Sequence, residues 1–202
     1  MKSKLDQLRG LNNRWFIFFS VIAIVMILLI VVGTCYKRYY NNHNLQASKL
    51  YVQLLDRANK RDIDGARLYA EQIVNDYPKT TYAGFANLWI AKVEVENNNY
   101  QKAKSALLLN QKYYLIPELK NISCFRLIRI LLEEGDLKEA RKYLDILSSG
   151  EKRAENYELW GDYFVKENDF PKAFDNYQKA KKLYLDTTGK VPAVLLLKLR
   201  NF

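Results

Sequence analysis

The residue types that most often catalyse reactions or bind metals are sparse in this sequence. It has one histidine, His43, and its two cysteines, Cys35 and Cys124, are far apart. A catalytic triad needs a histidine beside a nucleophile, and a zinc site needs several Cys, His or carboxylate ligands at defined spacings. His43 has no such partner at ligand spacing, which indicates a surface histidine. Cys124 lies in a helical pattern, which indicates a small buried apolar residue.

Two pairs of acidic residues remain as candidates for acid–base chemistry, Glu133 with Glu134 and Glu94 with Glu96. Residues one or two positions apart on a helix do not face each other, so these carboxylates do not converge on one reacting atom. The sequence also lacks a glycine-rich phosphate loop, a nucleophile elbow and a His-Glu-x-x-His motif. We therefore expect a protein that binds rather than catalyses, with no cofactor and no metal site.

The charge of the chain is strongly positive but not concentrated. Its 32 basic and 22 acidic residues give a formal net charge of +10. The first 38 residues hold 6 basic and 1 acidic residue, so the remainder holds 26 and 21, a net charge of +5. Nucleic-acid binding requires a basic stripe or patch, and none is visible. We expect no nucleic-acid partner.

An uninterrupted apolar stretch lies near the N-terminus. The 22 positions from Trp15 to Tyr36 carry no charge, and a helix of this length spans about 33 Å, close to the ~30 Å hydrocarbon core of a bilayer. Trp and Tyr at its ends favour the headgroup regions. The sequence thus predicts a tail at 1–14, a transmembrane helix at 15–36, a juxtamembrane linker at 37–45 and a folded domain at 46–202.

Two other interpretations of the apolar stretch stay open. A cleaved secretory signal has a shorter apolar run of about 7–15 residues and a small-x-small cleavage site, which this segment lacks. A lipoprotein signal would place a lipid on Cys35, although Thr34 is an unfavourable residue just before such a cysteine.

The distribution of basic residues favours one orientation of the transmembrane helix. The tail carries four basic residues and one acidic residue, whereas two basic residues, Lys37 and Arg38, follow the helix closely. The positive-inside rule then places the N-terminus in the cytoplasm and the folded domain on the other side.

A repeated pattern covers about residues 46–184. Four segments each combine a turn or cap residue, a large apolar residue, two polar residues and an alanine, and the alanines are Ala66, Ala103, Ala140 and Ala173. Asp or Asn caps the start of a helix, and alanine fits where two helices cross closely. The spacings of 37, 37 and 33 residues resemble those of tetratricopeptide repeats. An irregular array of α-hairpins outside that family is the alternative.

The predicted fold is all-α: an N-terminal transmembrane helix, then a TPR-like α-solenoid of about four helix-turn-helix units and a C-terminal capping helix. The units are 46–78, 82–114, 119–149 and 153–186. A final helix at about 191–202 either caps the stack or lies in its concave groove.

The first helix of each unit is expected to line that concave groove. The predicted groove has an apolar floor, a basic middle and an acidic end, which suits an extended or helical polypeptide segment. The alternative for its apolar members is that they form the core between repeats. The predicted protein-binding residues are Phe85, Leu88, Lys92, Ile122, Phe125, Arg129, Glu158 and Asp162.

Short segments outside the repeat pattern point to a narrower group. Residues 38–43 read Arg-Tyr-Tyr-Asn-Asn-His, residues 82–86 read Tyr-Ala-Gly-Phe-Ala, residues 125–129 read Phe-Arg-Leu-Ile-Arg, and residues 196–201 read Leu-Leu-Lys-Leu-Arg-Asn. Together with one membrane helix before a repeat domain, they resemble the YfgM-like family of ancillary SecYEG translocon subunits. The basic tail departs from that family, whose tail is more acidic.

This resemblance implies a single-pass protein of the inner membrane of Gram-negative bacteria, with its repeat domain in the periplasm. It implies binding to the SecYEG translocon, to the periplasmic chaperone PpiD and to nascent secretory polypeptides, and help with their transfer from channel to chaperone. The alternative is a membrane-anchored scaffold for another envelope complex, with Cys35 lipidated if the chain is a lipoprotein. A stress-sensing adaptor is disfavoured because residues 1–14 are too short to fold.

Overall fold

The computed structural model describes residues 2–113, 116–150 and 153–202. Within these ranges, side chains are described from residue 18 onwards, except that of residue 23. These residues form helices and no strand, as predicted. The helices are α1 (Lys2–Asn59), α2 (Ile63–Asp76), α3 (Thr81–Glu96), α4 (Tyr100–Lys112), α5 (Pro117–Glu134), α6 (Leu137–Ser148), α7 (Ala154–Lys166), α8 (Phe170–Thr188) and α9 (Ala193–Arg200). The chain divides into a unit that ends at Gln46 and a unit from Ala47 to Phe202.

The first unit contains the apolar part of α1. Large apolar side chains from Phe18 to Val32 are 43–64% exposed, and an 18-residue window of this helix has a mean hydropathy of 2.9. In the described part of the chain, it is the one helix long and apolar enough to cross a membrane. The hydroxyl of Thr34 donates a 2.9 Å hydrogen bond to the carbonyl of Val31, so this polar group is satisfied within the helix. Trp15 and the tail side chains lie outside the described residues.

The second unit is a stack of helix pairs. The last turns of α1 share a core cluster with α2, and the following pairs are α3 with α4, α5 with α6, and α7 with α8. Each helix from α2 onwards packs against the next one, while α3 also contacts α5 and α5 contacts α7. This connectivity, in which the first helices of successive pairs are neighbours, is that of a repeat solenoid.

The turns inside the four pairs share one backbone conformation. One residue in each turn is left-handed, with φ between 59° and 76°, and these residues are Arg61, Asn98, Gly135 and Asn168. In three turns the next residue is an aspartate whose carboxylate accepts a hydrogen bond from a first-turn N–H, as Asp62 does from Gly65 at 2.9 Å. A left-handed residue and a cap thus begin the second helix of each of these pairs.

Small residues allow the helices to pack closely, as the repeat pattern predicts. The four repeat alanines, Ala66, Ala103, Ala140 and Ala173, are fully buried. In the fourth pair Gly161 faces the ring of Tyr177, and a Cβ at this position would overlap that ring. The predicted helix-turn-helix units are therefore held together at their small residues.

The last helix, α9, packs against the end of the stack. Its Leu195 is fully buried in a cluster with Ala173, Tyr177 and Ala180 of α8. Leu199 joins the same cluster. This packing caps the last repeat, and α9 also covers part of the predicted groove through Lys198.

Candidate protein-binding surface

The exposed sides of α3, α5 and α7 form what we call the first-helix surface. It contains two neighbouring cavities. The first, the α3–α5 cavity, has a volume of about 290 Å³, an apolar floor and a charged rim. The second, the α5–α7 cavity, has a volume of about 260 Å³ and is lined mainly by charged side chains. Both are small, since sites for drug-sized molecules have volumes of about 300–1,000 Å³.

Three of the residues predicted to bind protein come together in these cavities. Lys92 and Arg129 lie on the rim of the α3–α5 cavity, and Arg129 and Asp162 line the α5–α7 cavity. Arg129 therefore belongs to both cavities and occupies the middle of the surface, where the sequence pattern predicts a basic centre.

Phe85 and Ile122 are partly open to a ligand. Their side chains are 36% and 39% exposed. The ring of Phe85 lies 5.7 Å from the ring of Tyr51 on α1, so an aromatic pair extends this surface towards the first repeat.

Other predicted residues are less accessible. Leu88 is buried in the main core, which agrees with the alternative interpretation of the apolar positions. Phe125 packs on the same core with part of its side chain. Glu158 is also buried. These three residues give a ligand little surface.

The predicted acidic end of the groove is covered by α9. Lys198 lies 2.8 Å from a carboxylate oxygen of Glu158 and 2.6 Å from one of Asp162. The hydroxyl of Tyr177 donates to Asp162 at 2.8 Å, and that of Tyr184 donates to Glu158 at 3.4 Å. Burial raises the pKa of both tyrosines far above the ordinary value. Sequence reasoning missed this arrangement because it left open where α9 packs.

The basic centre, by contrast, has three cations, Lys92, Arg126 and Arg129, and one carboxylate, that of Glu96. An N–H of Arg126 donates to the carbonyl of Leu88 at 3.0 Å, a neutral acceptor. Burial, with a contribution from the charge of Arg129, lowers the pKa of Arg126. Within the described ranges, no side chain forms an ion pair with Arg129. Lys92 has a loose partner in Glu96, at 3.8 Å.

A buried polar network connects α3, α4 and α5, the three helices that line the α3–α5 cavity. Asn110 accepts a hydrogen bond from Asn87 at 2.8 Å. It donates to the hydroxyl of Ser123 at 2.9 Å and to the carbonyl of Gly84 at 3.0 Å. Such a network fixes the relative position of the helices that contribute its members.

The environment of the cysteine in the repeat domain disfavours nucleophilic reactivity. Cys124 is buried, and burial raises its pKa to about 12. The thiol therefore remains protonated at neutral pH, whereas nucleophilic attack requires the thiolate.

Comparisons with known proteins agree with this architecture. Residues 13–202 match the model of a tetratricopeptide repeat-like domain family. A protein of Buchnera aphidicola subsp. Acyrthosiphon pisum, named ancillary SecYEG translocon subunit, is 24% identical over 92% of this chain and 93% of its own. The protein of that name from Aggregatibacter actinomycetemcomitans is 30% identical over 71% of this chain and 72% of its own.

A third protein of that name, from Buchnera aphidicola subsp. Schizaphis graminum, is 23% identical over 78% of this chain and 79% of its own. No solved structure matches the chain significantly. The family resemblance predicted from the short motifs is thus confirmed. The family match, the repeat stack and these relatives show that the chain belongs to the YfgM-like family of ancillary SecYEG translocon subunits, and its apolar α1 segment indicates a membrane anchor.

Proposed function

We propose that this protein associates with the SecYEG translocon as a non-enzymatic ancillary subunit. The observation that carries the proposal is the extent of the similarity to a relative with that name, which covers 92% of this chain. A match of that length includes both the membrane segment and the repeat domain. The similarity therefore extends over the apolar segment that would anchor this protein beside a membrane channel.

The proposed location is the inner membrane, with the N-terminus in the cytoplasm and residues 46–202 in the periplasm. The excess of basic residues in the tail supports this orientation. The repeat domain then meets polypeptides as they leave the channel.

The proposed partners beyond the channel are the chaperone PpiD and nascent secretory polypeptides. The first-helix surface offers exposed Phe85 and Ile122 and two shallow cavities. Each cavity is large enough for one or two side chains only, and small interfaces generally give weak, reversible complexes. Reversible binding is what transfer from a channel to a chaperone requires.

Photo-crosslinking tests this function. A photoreactive phenylalanine analogue replaces Ile122, whose exposed side chain leaves room for the probe, and the protein is expressed in bacteria that have a SecYEG channel. We expect crosslinks to SecY, to PpiD or to nascent periplasmic proteins, identified by mass spectrometry. The same analogue at Lys142, on α6, is the matched control and should not give these products.

Two outcomes contradict the proposal. Crosslinks from Ile122 only to another envelope complex would favour the scaffold interpretation. Labelling of Cys35 by a palmitate analogue, lost in Cys35→Ser, would identify a lipoprotein and exclude a retained transmembrane anchor.

A further inference from the structure

The α3–α5 cavity combines an apolar floor with an unbalanced positive rim. The floor consists of Ala91, Val95, Leu107 and Ile130. The rim has three cationic side chains, Lys92, Arg126 and Arg129, and one carboxylate, that of Glu96. Two positive charges are therefore left over at the edge of an apolar site.

Several cationic side chains on the surrounding helices have carboxylate partners. Lys198 pairs with Glu158 at 2.8 Å, and Lys104 pairs with Glu134 at 2.6 Å. Even Lys166, on the α5–α7 cavity, has a carboxylate 3.6 Å away. Arg126 and Arg129, by contrast, have no carboxylate partner in the described part of the chain, and both lie at the edge of an apolar cavity.

Arg126 and Arg129 stand three positions apart on α5, so they lie on the same side of the helix. Like charges at this spacing destabilise a helix. Arg126 donates a hydrogen bond to the carbonyl of Leu88, but this neutral group does not balance its charge. In the part of the chain that the structure describes, Arg129 has no hydrogen-bond acceptor. A bound carboxylate would remove the repulsion, because one carboxylate can accept hydrogen bonds from two guanidinium groups.

We propose that the α3–α5 cavity binds a polypeptide segment in which a large apolar side chain lies next to an acidic side chain. The apolar side chain fills the space above Val95 and Ile130, and the carboxylate binds Arg126 and Arg129. This inference rests on the proposed function and deepens it, because it names the chemistry of the polypeptide that the first-helix surface selects.

Peptide binding to the full-length protein in detergent tests the inference. The probe is a fluorescently labelled peptide, Gly-Ser-Leu-Glu-Phe-Ser-Gly, and binding is followed by fluorescence anisotropy. One comparison peptide has Gln in place of Glu, and another has Ser in place of Leu and Phe. We expect each change to weaken binding by about tenfold, since a charge-assisted hydrogen bond or a buried apolar side chain contributes about that much.

A variant of Arg129 separates a binding role from a structural one. In Arg129→Gln the affinity for the Glu peptide should fall by about tenfold, while the Tm stays the same or rises because a like-charge repulsion is removed. A residue that served the fold would instead lower the Tm. Lys138→Gln, the same charge change at an exposed position of α6, should alter neither quantity.

A second variant tests the apolar half of the site. Val95→Trp fills the cavity and keeps all four rim charges, so it should weaken binding of the Glu peptide at unchanged Tm. Equal affinity for all three peptides, no binding of any of them, or unchanged affinity in Arg129→Gln would each overturn the inference.

The two proposals can fail separately. Crosslinking of Ile122 to SecY without selective peptide binding would leave the translocon association intact and refute the acidic–apolar specificity. Selective peptide binding without crosslinks to the translocon, PpiD or nascent chains would keep the site and refute the proposed function.

Discussion

The ammonium group of Lys198 lies 2.8 Å from a carboxylate oxygen of Glu158, which joins α9 to α7. The Glu158 side chain is 7% exposed and that of Lys198 is 25% exposed. Lys198 also contacts Asp162. A carboxylate with so little access to water depends on its cationic partner, because an unpaired buried charge is strongly unfavourable. The ion pair therefore couples the cap to the stability of the last repeat.

Removal of this cation should destabilise the repeat domain. We expect Lys198→Ala to lower the free energy of unfolding by about 3 kcal/mol, the cost typical of a broken buried ion pair. The measurement is urea denaturation of the full-length protein in detergent, followed by circular dichroism. Lys179→Ala is the control, because its pair with Asp175 is half exposed on both sides and should contribute less than about 1 kcal/mol. Equal losses in the two variants would contradict this role of the cap.

A second ion pair makes stability depend on pH. Glu94 of α3 is buried and pairs with Arg67 of α2, while Asn99 donates to it at 3.0 Å. Burial by itself raises the pKa of Glu94, but the hydrogen bonds from Arg67 and Asn99 outweigh it, and the pKa lies below its ordinary value. A group with a lowered folded-state pKa stabilises the protein above its unfolded pKa, about 4.3 for Glu. This contribution is lost as the pH falls through the folded pKa.

The lowered pKa of Glu94 determines the result expected for Arg67→Ala. At pH 7 the variant should be less stable than the natural protein by about 3 kcal/mol. The difference should begin to shrink above about pH 4.3, because burial without Arg67 raises the pKa of Glu94 in the variant, and it should be lost as the pH falls through the lowered pKa of Glu94 in the natural protein. Urea denaturation of both proteins from pH 7 to pH 3 measures it. A difference that is constant over this range would show that Arg67 contributes by packing alone.

Much of the fold follows from local sequence signals. The apolar run up to Tyr36 predicts a long helix, and the repeated turn with its alanine predicts the helix pairs. These signals suffice because a cap, a left-handed residue and a small residue act within a few positions of one another. The buried alanines Ala66 and Ala173, in the first and last pairs, show that the pattern holds across the stack.

The candidate site could be predicted only in part, since its features depend on contacts between distant residues. The repeat pattern identifies Arg129 as central. It cannot show that, within the described ranges, no carboxylate forms an ion pair with Arg129. Asn87 and Asn110 read as ordinary polar positions, yet they are buried and bonded to each other. The pairing of Lys198 with Glu158 spans 40 positions, and no periodicity in either helix predicts it.

Close packing of α7 on α8 gives a further test. The ring of Tyr177 occupies the space that a side chain at Gly161 would need. Gly161→Ala should therefore destabilise the protein by about 2 kcal/mol, a typical cost of overpacking, although alanine favours helix formation more than glycine does. Thermal unfolding by circular dichroism measures the effect.

A double variant checks the cause of that loss. If the Tyr177 ring produces the clash, Gly161→Ala combined with Tyr177→Leu should lose less stability than the sum of the two single changes. Strict additivity would mean that the added methyl group acts elsewhere.

The turn of the first helix pair is less favourable than the others. Arg61 has a φ of 60°, a conformation that costs a residue with a side chain about 1 kcal/mol. The equivalent residues are asparagine at 98 and 168 and glycine at 135, which adopt this region more readily. We expect Arg61→Gly to stabilise the repeat domain by up to about 1 kcal/mol, or about 3 °C in Tm for a domain of this size.

The opposite change in the third turn is the matched control. Gly135 has a φ of 76°, and a Cβ there meets no atom within 4 Å. Any loss in Gly135→Ala must then come from the backbone conformation, and it should be about 1–2 kcal/mol. Thermal unfolding of both variants should thus shift in opposite directions. Destabilisation by Arg61→Gly, together with a neutral Gly135→Ala, would show that side-chain contacts of Arg61 rather than its left-handed backbone determine the stability of these turns.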